Sequence, residues 1–302
     1  MSPAPDGTVS WRELLAEAVA RLDSAGVETA EVDARRIVAD CMDVPMGQLT
    51  RSLGDPATER GVARFDRMVA RRAEGEPLQY VLGSWGFRTL ELMVDRRVLI
   101  PRPETESVVE VALAELDRLG GRDRSTLVVD LGTGSGAIAL SIAVERLRTE
   151  VWATDISDDA LRVARANVAG VGRPGARVRT GAGDWFDALP STLRGTVDLV
   201  VTNPPYVASS AELPAEVAQW EPASALYAGA DGLDDLRRIL AAAPDWLTPS
   251  GVLVSELSPE QADAAVGLAL EGFAEAFVES DLAGRPRALV ARMAGSDGRS
   301  SE

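Results

Sequence analysis

From Ser10 onward the chain reads first as amphipathic helices. Ser10 and Glu13 stand at the spacing of a capping box. Trp11, Leu14, Leu15, Ala18, Val19 and Leu22 then recur at i, i+3, i+4 and i+7, one apolar stripe on a 3.6-residue period. A second helix is predicted over 30–43, and another over 57–74 with Val62, Phe65 and Val69 on one face. These segments predict a small N-terminal helical bundle, residues 1–83. The period then changes. Residues 87–94, a turn at Asp95-Arg96 and Val98-Leu99-Ile100 predict a β-hairpin. Pro101-Arg102-Pro103 breaks regular structure, so 84–103 reads as hairpin and linker.

Beyond that point apolar strands alternate with helices. Strands are predicted at 126–131, 151–154, 177–180, 197–202 and 251–256, and helices at 137–147, 158–168, 234–247 and 259–272. A last pair of strands falls at 277–281 and 287–293. Such alternation predicts an α/β domain over 104–293, its parallel sheet covered by helices on both faces. Residues 294–302 read as a disordered tail, and no internal repeat is visible.

Composition narrows the chemistry. A hydrophobic share of 46% with 26% charged residues suits a globular chain that buries a sizeable core. The single cysteine, Cys41, excludes an intramolecular disulfide and reads as a packed thiol. No histidine occurs, which removes the commonest transition-metal ligand and the usual general base near neutral pH; no metal site is expected. The formal charge is −16, and binding to a phosphate backbone is driven by counterions that cationic side chains release, so no direct nucleic-acid partner is expected. Residues 1–10 carry no apolar signal region, and no run of 18 apolar residues suggests a membrane span. A cytoplasmic protein is expected.

Asp130-Leu131-Gly132-Thr133-Gly134-Ser135-Gly136 follows the first strand of the α/β region and opens a helix. Glycines let the backbone turn tightly and approach a ligand closely, and the helix start presents free N–H groups. Asp155 ends the next strand, roughly 20 residues on, the reach at which a carboxylate meets the hydroxyls of a ribose. Alone, the loop is also compatible with an ordinary strand–helix turn and a solvated aspartate; loop, helix and acid in register favour a nucleotide-like ligand. The G-x-G-x-G spacing, with an acid two residues before the first glycine, is closer to the S-adenosyl-L-methionine form of such a site than to the dinucleotide form. Trp185 follows the third of these strands, where an aromatic ring can pack on an adenine face; by itself a tryptophan there would more often be core.

Asn203-Pro204-Pro205-Tyr206 ends the fourth of these strands, on the sheet edge that carries the glycine loop and Asp155. A planar amide or aniline-like nitrogen is a poor nucleophile because its lone pair is delocalised. Two acceptors, the Asn203 side-chain oxygen and the Pro204 carbonyl, can hold both N–H groups of such a nitrogen, push density onto it and aim it. Proline has no N–H and holds its carbonyl rigidly, and Tyr206 can stack on a flat target. The plain alternative is a proline turn that ends a strand.

With these motifs the chain resembles the peptide chain release factor glutamine methyltransferases, the HemK/PrmC family. The resemblance runs through Glu76-Pro77-Leu78-Gln79-Tyr80 with Gly83, Trp85 and Phe87, and through Val98-Leu99-Ile100-Pro101-Arg102-Pro103-Glu104-Thr105-Glu106, which is similar to the family's hallmark segment over the active site. It continues in the glycine loop, Asp155-Ile156-Ser157, Asp184-Trp185-Phe186, the Asn-Pro-Pro-Tyr tetrapeptide, Glu221-Pro222, Asp231-Gly232-Leu233-Asp234 and Gly284-Arg285-Pro286-Arg287. It implies a class I methyltransferase (Rossmann-like) domain joined by a β-hairpin to a helical domain that meets the protein partner. It further implies that Gly132, Thr133, Gly134, Ser135, Gly136, Asp155, Trp185 and Asn203 bind S-adenosyl-L-methionine. Asn203, Pro204, Pro205 and Tyr206 would grip a glutamine amide, with Asn203, Pro204 and Tyr206 in the chemistry. The substrate would be the Gly-Gly-Gln loop of release factors, and the second product S-adenosyl-L-homocysteine. One departure is Ser255-Glu256-Leu257-Ser258, where a glycine is expected soon after the glutamate. The strongest rival is an N6-adenine methyltransferase, which must flip a base and bind phosphates; the charge of −16 opposes it. A binding module retaining only the nucleotide fold would tolerate a damaged loop or tetrapeptide, and both are intact. A dinucleotide oxidoreductase would need a proton relay, and the sequence offers none.

Overall fold

The computed structural model describes residues 8–120 and 122–295, which divide into two compact units. The first comprises the chain as far as Ser84 together with Ala215–Trp220. It holds α1 (Trp11–Ser24), α2 (Ala30–Met42), α3 (Leu49–Ser52), α4 (Glu59–Ala73) and α5 (Leu78–Leu82). Ser10 and Glu13 close the capping box, the Ser10 N–H donating to Glu13 Oε2 at 2.8 Å. The apolar stripe of α1 meets Ile37 and Val38 of α2 and Phe65 and Val69 of α4, all buried. Gly61 serves this packing: a Cβ there would lie 2.8 Å from the Trp11 ring. A buried ion pair, Arg72 Nε to Asp33 Oδ2 at 2.7 Å, ties α4 to α2. Cys41 lies 3.6 Å from Met68 Sδ, and burial pushes its thiol up to about 11, as befits a packed rather than a reactive sulfur.

The second unit opens on β1 (Ser84–Phe87) and β2 (Leu90–Met93), which pair as a two-stranded sheet. Its turn is Arg88-Thr89, not Asp95-Arg96. Arg88 takes a left-handed φ of 51° and is held there by its own contacts. Its N–H donates to Glu106 Oε1 at 2.9 Å, and its guanidinium forks onto Glu145 at 2.7 and 2.8 Å. No Asn-Gly or Asp-Gly marks such a turn in sequence. Val98 and Ile100, expected in a strand, instead sit buried in an irregular segment. After it comes α6 (Pro103–Arg118), a helix absent from the sequence expectation, in which Pro101-Arg102-Pro103 reads only as a break. Proline at the first helical position lacks only an N–H that would have no partner, so Pro103 starts this helix. Val108, Val109, Ala112, Leu113 and Leu116 form its buried stripe.

The main sheet takes β3 (Thr126–Leu131), then α7 (Ala137–Glu145), β4 (Thr149–Asp155), α8 (Asp158–Gly170), β5 (Val178–Ala182) and β6 (Val197–Thr202). Then follow α9 (Ala215–Trp220, in the first unit), α10 (Asp234–Ala242), β7 (Leu247–Glu256), α11 (Ala262–Ala269), β8 (Glu275–Ser280) and β9 (Pro286–Arg292). Pro244 ends the helix expected to reach residue 247, and Leu247 starts β7 instead.

Strand order is β5-β4-β3-β6-β7-β9-β8. Strands β3 to β7 pair in parallel, but β9 runs antiparallel to both β7 and β8, so the sheet is mixed rather than wholly parallel. The link from β8 to β9 is too short for a crossover, which requires a dozen or more residues, so the pair must form a hairpin. Helices α6 and α7 bury one face against Val128, Val151, Leu199 and Val254; α10, α11 and Phe273 bury the other against Val129, Leu131, Val200 and Leu253. Seven strands with a reversed β9 and helices on both faces make this the class I methyltransferase fold. The order reverses at β3, which has β4 on one side and β6 on the other, and clefts form at the carboxyl ends beside such a switch point. The tail expected at 294–302 lies outside the described residues from 296 on. Among the described residues no helix is long and apolar enough to cross a membrane.

Candidate active site

The carboxyl ends of β3, β4 and β6 border a cleft of about 270 Å³, near the lower end for small-molecule sites. Gly132, Gly134, Asp155, Trp185, Asn203 and Pro205 all line it. Two motifs 70 residues apart in sequence, the glycine loop and the tetrapeptide, are thus brought to one wall because β3 and β6 are neighbours.

The loop owes its shape to its glycines. Gly132, Gly134 and Gly136 all have left-handed φ, and a Cβ on Gly132 would lie 3.3 Å from the Trp185 ring. Asp130 is wholly buried beneath, its Oδ2 accepting from Thr133 Oγ1 at 2.6 Å and Ala139 N at 3.1 Å. Burial raises its pKa to about 7, and its Oδ1 is buried without a partner. Thr133 and Ser135 are buried, and Gly136 caps α7; none of the three lines the cleft. Asn167 of α8 steadies the loop from behind, donating to the Ser135 carbonyl at 2.8 Å while bonding Met93 of β2.

Asp155 Oδ2 accepts from Gly134 N at 2.9 Å and Oδ1 from Ser157 N at 2.8 Å. Burial raises its pKa while these N–H groups pull it back down. The carboxylate is fixed in direction and retains lone pairs toward the cleft. Ile156, the next residue, lines the same wall and is 69% exposed, an apolar side chain available to a flat ligand. Trp185 has φ 48° and begins a short 3₁₀ turn; Asp235 accepts a hydrogen bond from it. Val98 and Leu99 also line the cleft. Their segment is pinned by Glu221, a buried carboxylate that accepts from Ile100 N at 3.1 Å and Arg102 Nη2 at 2.5 Å.

In the tetrapeptide, Pro204 is buried, and Asn203, Pro205 and Tyr206 are partly so. Asn203 Nδ2 donates to Thr105 Oγ1 at 3.2 Å, which leaves Oδ1 as its acceptor. Thr105 donates to Glu256 Oε2 at 2.6 Å, and the Tyr206 hydroxyl lies 3.4 Å from Glu256 Oε1. Burial raises the Tyr206 pKa, the Glu256 charge adding to it, so the phenol stays protonated. Gln261 Nε2 bonds the carbonyls of Tyr206, Asp231 and Gly232 at 3.0, 3.1 and 3.2 Å, closing the loop after β6. Gly232, at φ 75°, packs so tightly there that a Cβ would lie 2.2 Å from the Tyr206 carbonyl oxygen. Gly232→Ala is therefore expected to lower stability by about 1–3 kcal/mol and to displace Tyr206. Melting curves and turnover measured together check this.

Val98, Leu99 and Thr105 belong to the segment that the resemblance sets over the active site, whereas Ile156, Asp235 and Glu256 are not among the expected site residues. Only Ile156, an apolar residue at a strand end beside an acid, carries a local cue. Among the described residues no group of three or more acidic or Cys side chains is arranged to hold a metal.

The PrmC N-terminal domain family model matches residues 13–83, and the methyltransferase small domain model matches residues 111–220. The release factor glutamine methyltransferase of Cereibacter sphaeroides is 40% identical over 284 residues, covering 93% of this chain and 98% of the relative. That of Mycolicibacterium smegmatis is 39% identical, covering 93% and 96%. Among solved structures, the catalytic domain of hMettl16 superposes with a TM-score of 0.50 at 14% identity, over 79% of this chain and 84% of that one, a likeness of fold alone. Near-full-length identity of this order, with both family models in sequence order, places the chain in the release factor glutamine methyltransferase family.

Proposed function

We propose that this chain methylates the side-chain nitrogen, N5, of the glutamine in the Gly-Gly-Gln loop of peptide chain release factors, in the cytoplasm, with S-adenosyl-L-methionine as donor and S-adenosyl-L-homocysteine as product. The observation that carries the reading is Asn203: an amide held in one direction, acceptor oxygen free, on the wall that also bears the glycine loop and Asp155.

The residues fit the cofactor. A glycine-lined cradle that a Cβ would fill, a fixed carboxylate at its edge, and Ile156 and Trp185 as apolar walls suit an adenosine with a charged tail. Gly132, Gly134, Asp155, Ile156 and Trp185 would hold it, with Thr133, Ser135 and Gly136 shaping the loop. When bound, it supplies an electrophilic methyl group on a sulfonium. The rest is done by this chain. Asn203 Oδ1 and the Pro204 carbonyl accept the two N–H bonds of the substrate amide, which raises electron density on nitrogen and fixes its aim. Pro205 and Tyr206 bound the flat amide. Its proton turns acidic only as the new C–N bond forms, so no strong base is needed, in keeping with a sequence that has no histidine.

Asp155→Ala is expected to weaken S-adenosyl-L-methionine binding by about 10–100-fold, the scale of a charge-assisted hydrogen bond, with the melting curve little changed. Titration calorimetry measures it, and unchanged affinity removes Asp155 from the site. The activity itself is tested by incubating the purified chain with S-adenosyl-L-methionine and a release factor, then looking by intact mass for the gain of one methyl group.

A further inference from the structure

Behind the tetrapeptide lies a second set of side chains, supplied by α6 and the end of β7. Thr105 is 4% exposed and Glu256 1%, and they join at 2.6 Å. Neither lines the cleft. The donor directions in this set are forced. A threonine hydroxyl has one proton, and Thr105 commits it to Glu256 Oε2, so toward Asn203 its oxygen can only accept. Asn203 must then turn Nδ2 inward and Oδ1 outward. Had Thr105 been free to donate, the asparagine amide could flip and present two donors to a substrate nitrogen that is itself a donor. The other oxygen of Glu256 meets the Tyr206 hydroxyl, so one carboxylate braces both ends of the tetrapeptide.

We infer that Thr105 and Glu256 are positioning residues that set the orientation of the Asn203 amide, Glu256 acting as the terminal acceptor that obliges Asn203 to present its oxygen. This deepens, and rests on, the reading of Asn203 as the group that grips the substrate amide. The relay works in one protonation state. As a carboxylate, Glu256 only accepts; once protonated it can donate to Thr105, releasing the threonine proton toward Asn203 and reversing the chain. Burial raises Glu256 to about 7, while the Thr105 hydroxyl, Arg287 from β9 and Tyr206 from the loop after β6 pull it down and Glu104 from α6 adds to the rise. Ionised Glu256 is the competent form, so turnover should fall as pH drops through the neutral range.

The test compares wild type with Thr105→Val, Thr105→Ser and Glu256→Gln. Thr105→Val, near in shape but without a hydroxyl, should lower kcat by roughly 10–100-fold while KM for the release factor and cofactor affinity stay within a few-fold. Thr105→Ser should restore most of the loss. The acidic limb of the wild-type kcat profile should vanish in Glu256→Gln, whose side chain does not titrate. Independently of any substrate, the Asn203 side-chain amide resonances should titrate in wild type with a midpoint near that limb and should not in Glu256→Gln. Wild-type kcat in Thr105→Val overturns the inference, as does a serine variant no better than valine. If Thr105→Val does not fold, the Glu256→Gln profile and resonances decide, and a limb or titration that persists there overturns it. A wild-type chain that methylates no release factor contradicts the substrate reading, and the resonance titration still judges this inference by itself.

Discussion

Asn203→Ala is expected to cut methyl transfer by about 10²–10³-fold or more while cofactor affinity changes by only a few-fold. The size follows from what the side chain does. In the ground state an amide nitrogen gives its lone pair to the carbonyl; it becomes nucleophilic only when both protons are drawn toward acceptors as the new bond forms. Asn203 Oδ1 is one of the two acceptors, fixed through Thr105 before any substrate arrives. Loss of one preorganised partner that acts in the transition state is a loss in kcat, because the remaining contacts still seat the ground state. The wall proposed to hold the cofactor is built from other elements: the loop after β3, Asp155 at the end of β4 and Trp185 beyond β5. Single-turnover rates and calorimetry on the same preparation separate the two effects. A variant that transfers methyl at near wild-type rate would refute the alignment role. A variant that loses cofactor binding in step with rate would make Asn203 a cofactor ligand alone.

What the sequence disclosed, and what it hid, divides along a physical line. Local periodicity and backbone chemistry were legible: the capping box at Ser10, the fully buried strand Val197–Thr202, and the glycine loop all sit where their patterns put them. The sheet edge that joins Asp155 to Asn203 was also legible, because alternating strands and helices leave few arrangements. Three features were not. Helix α6 was hidden behind Pro101 and Pro103, although Val108, Val109, Ala112, Leu113 and Leu116 carry a clear helical period. The hairpin turn at Arg88 rests on a left-handed arginine held by Glu106 and Glu145, the second 57 residues away, and no local signal encodes such a contact. The Thr105–Glu256 pair spans 151 residues, and although the resemblance sets the segment of Thr105 over the active site, nothing local couples it to Glu256. Long-range polar pairs are invisible to periodicity, and here they are the groups that aim the chemistry.

The other large effect concerns the substrate. A chain of charge −16 is expected to be repelled by DNA and RNA, with little counterion release to gain from them. A glycine-flanked glutamine, by contrast, sits on flexible backbone that can reach into a narrow cleft, and its flat amide matches two fixed acceptors and a tyrosine face. Changing that glutamine to alanine removes the nitrogen that the proposal assigns to the site, so transfer should be abolished rather than merely slowed.

The most direct measurement uses labelled S-adenosyl-L-methionine with four substrates in parallel: a release factor, the same release factor with its Gly-Gly-Gln glutamine changed to alanine, and single- and double-stranded DNA over a salt titration. Peptide mapping by mass spectrometry locates any methyl group. Label on the N5 of that glutamine, none on the alanine variant and none on DNA at any salt concentration is the predicted result; label that persists on the alanine variant, or that appears on adenine, would contradict it.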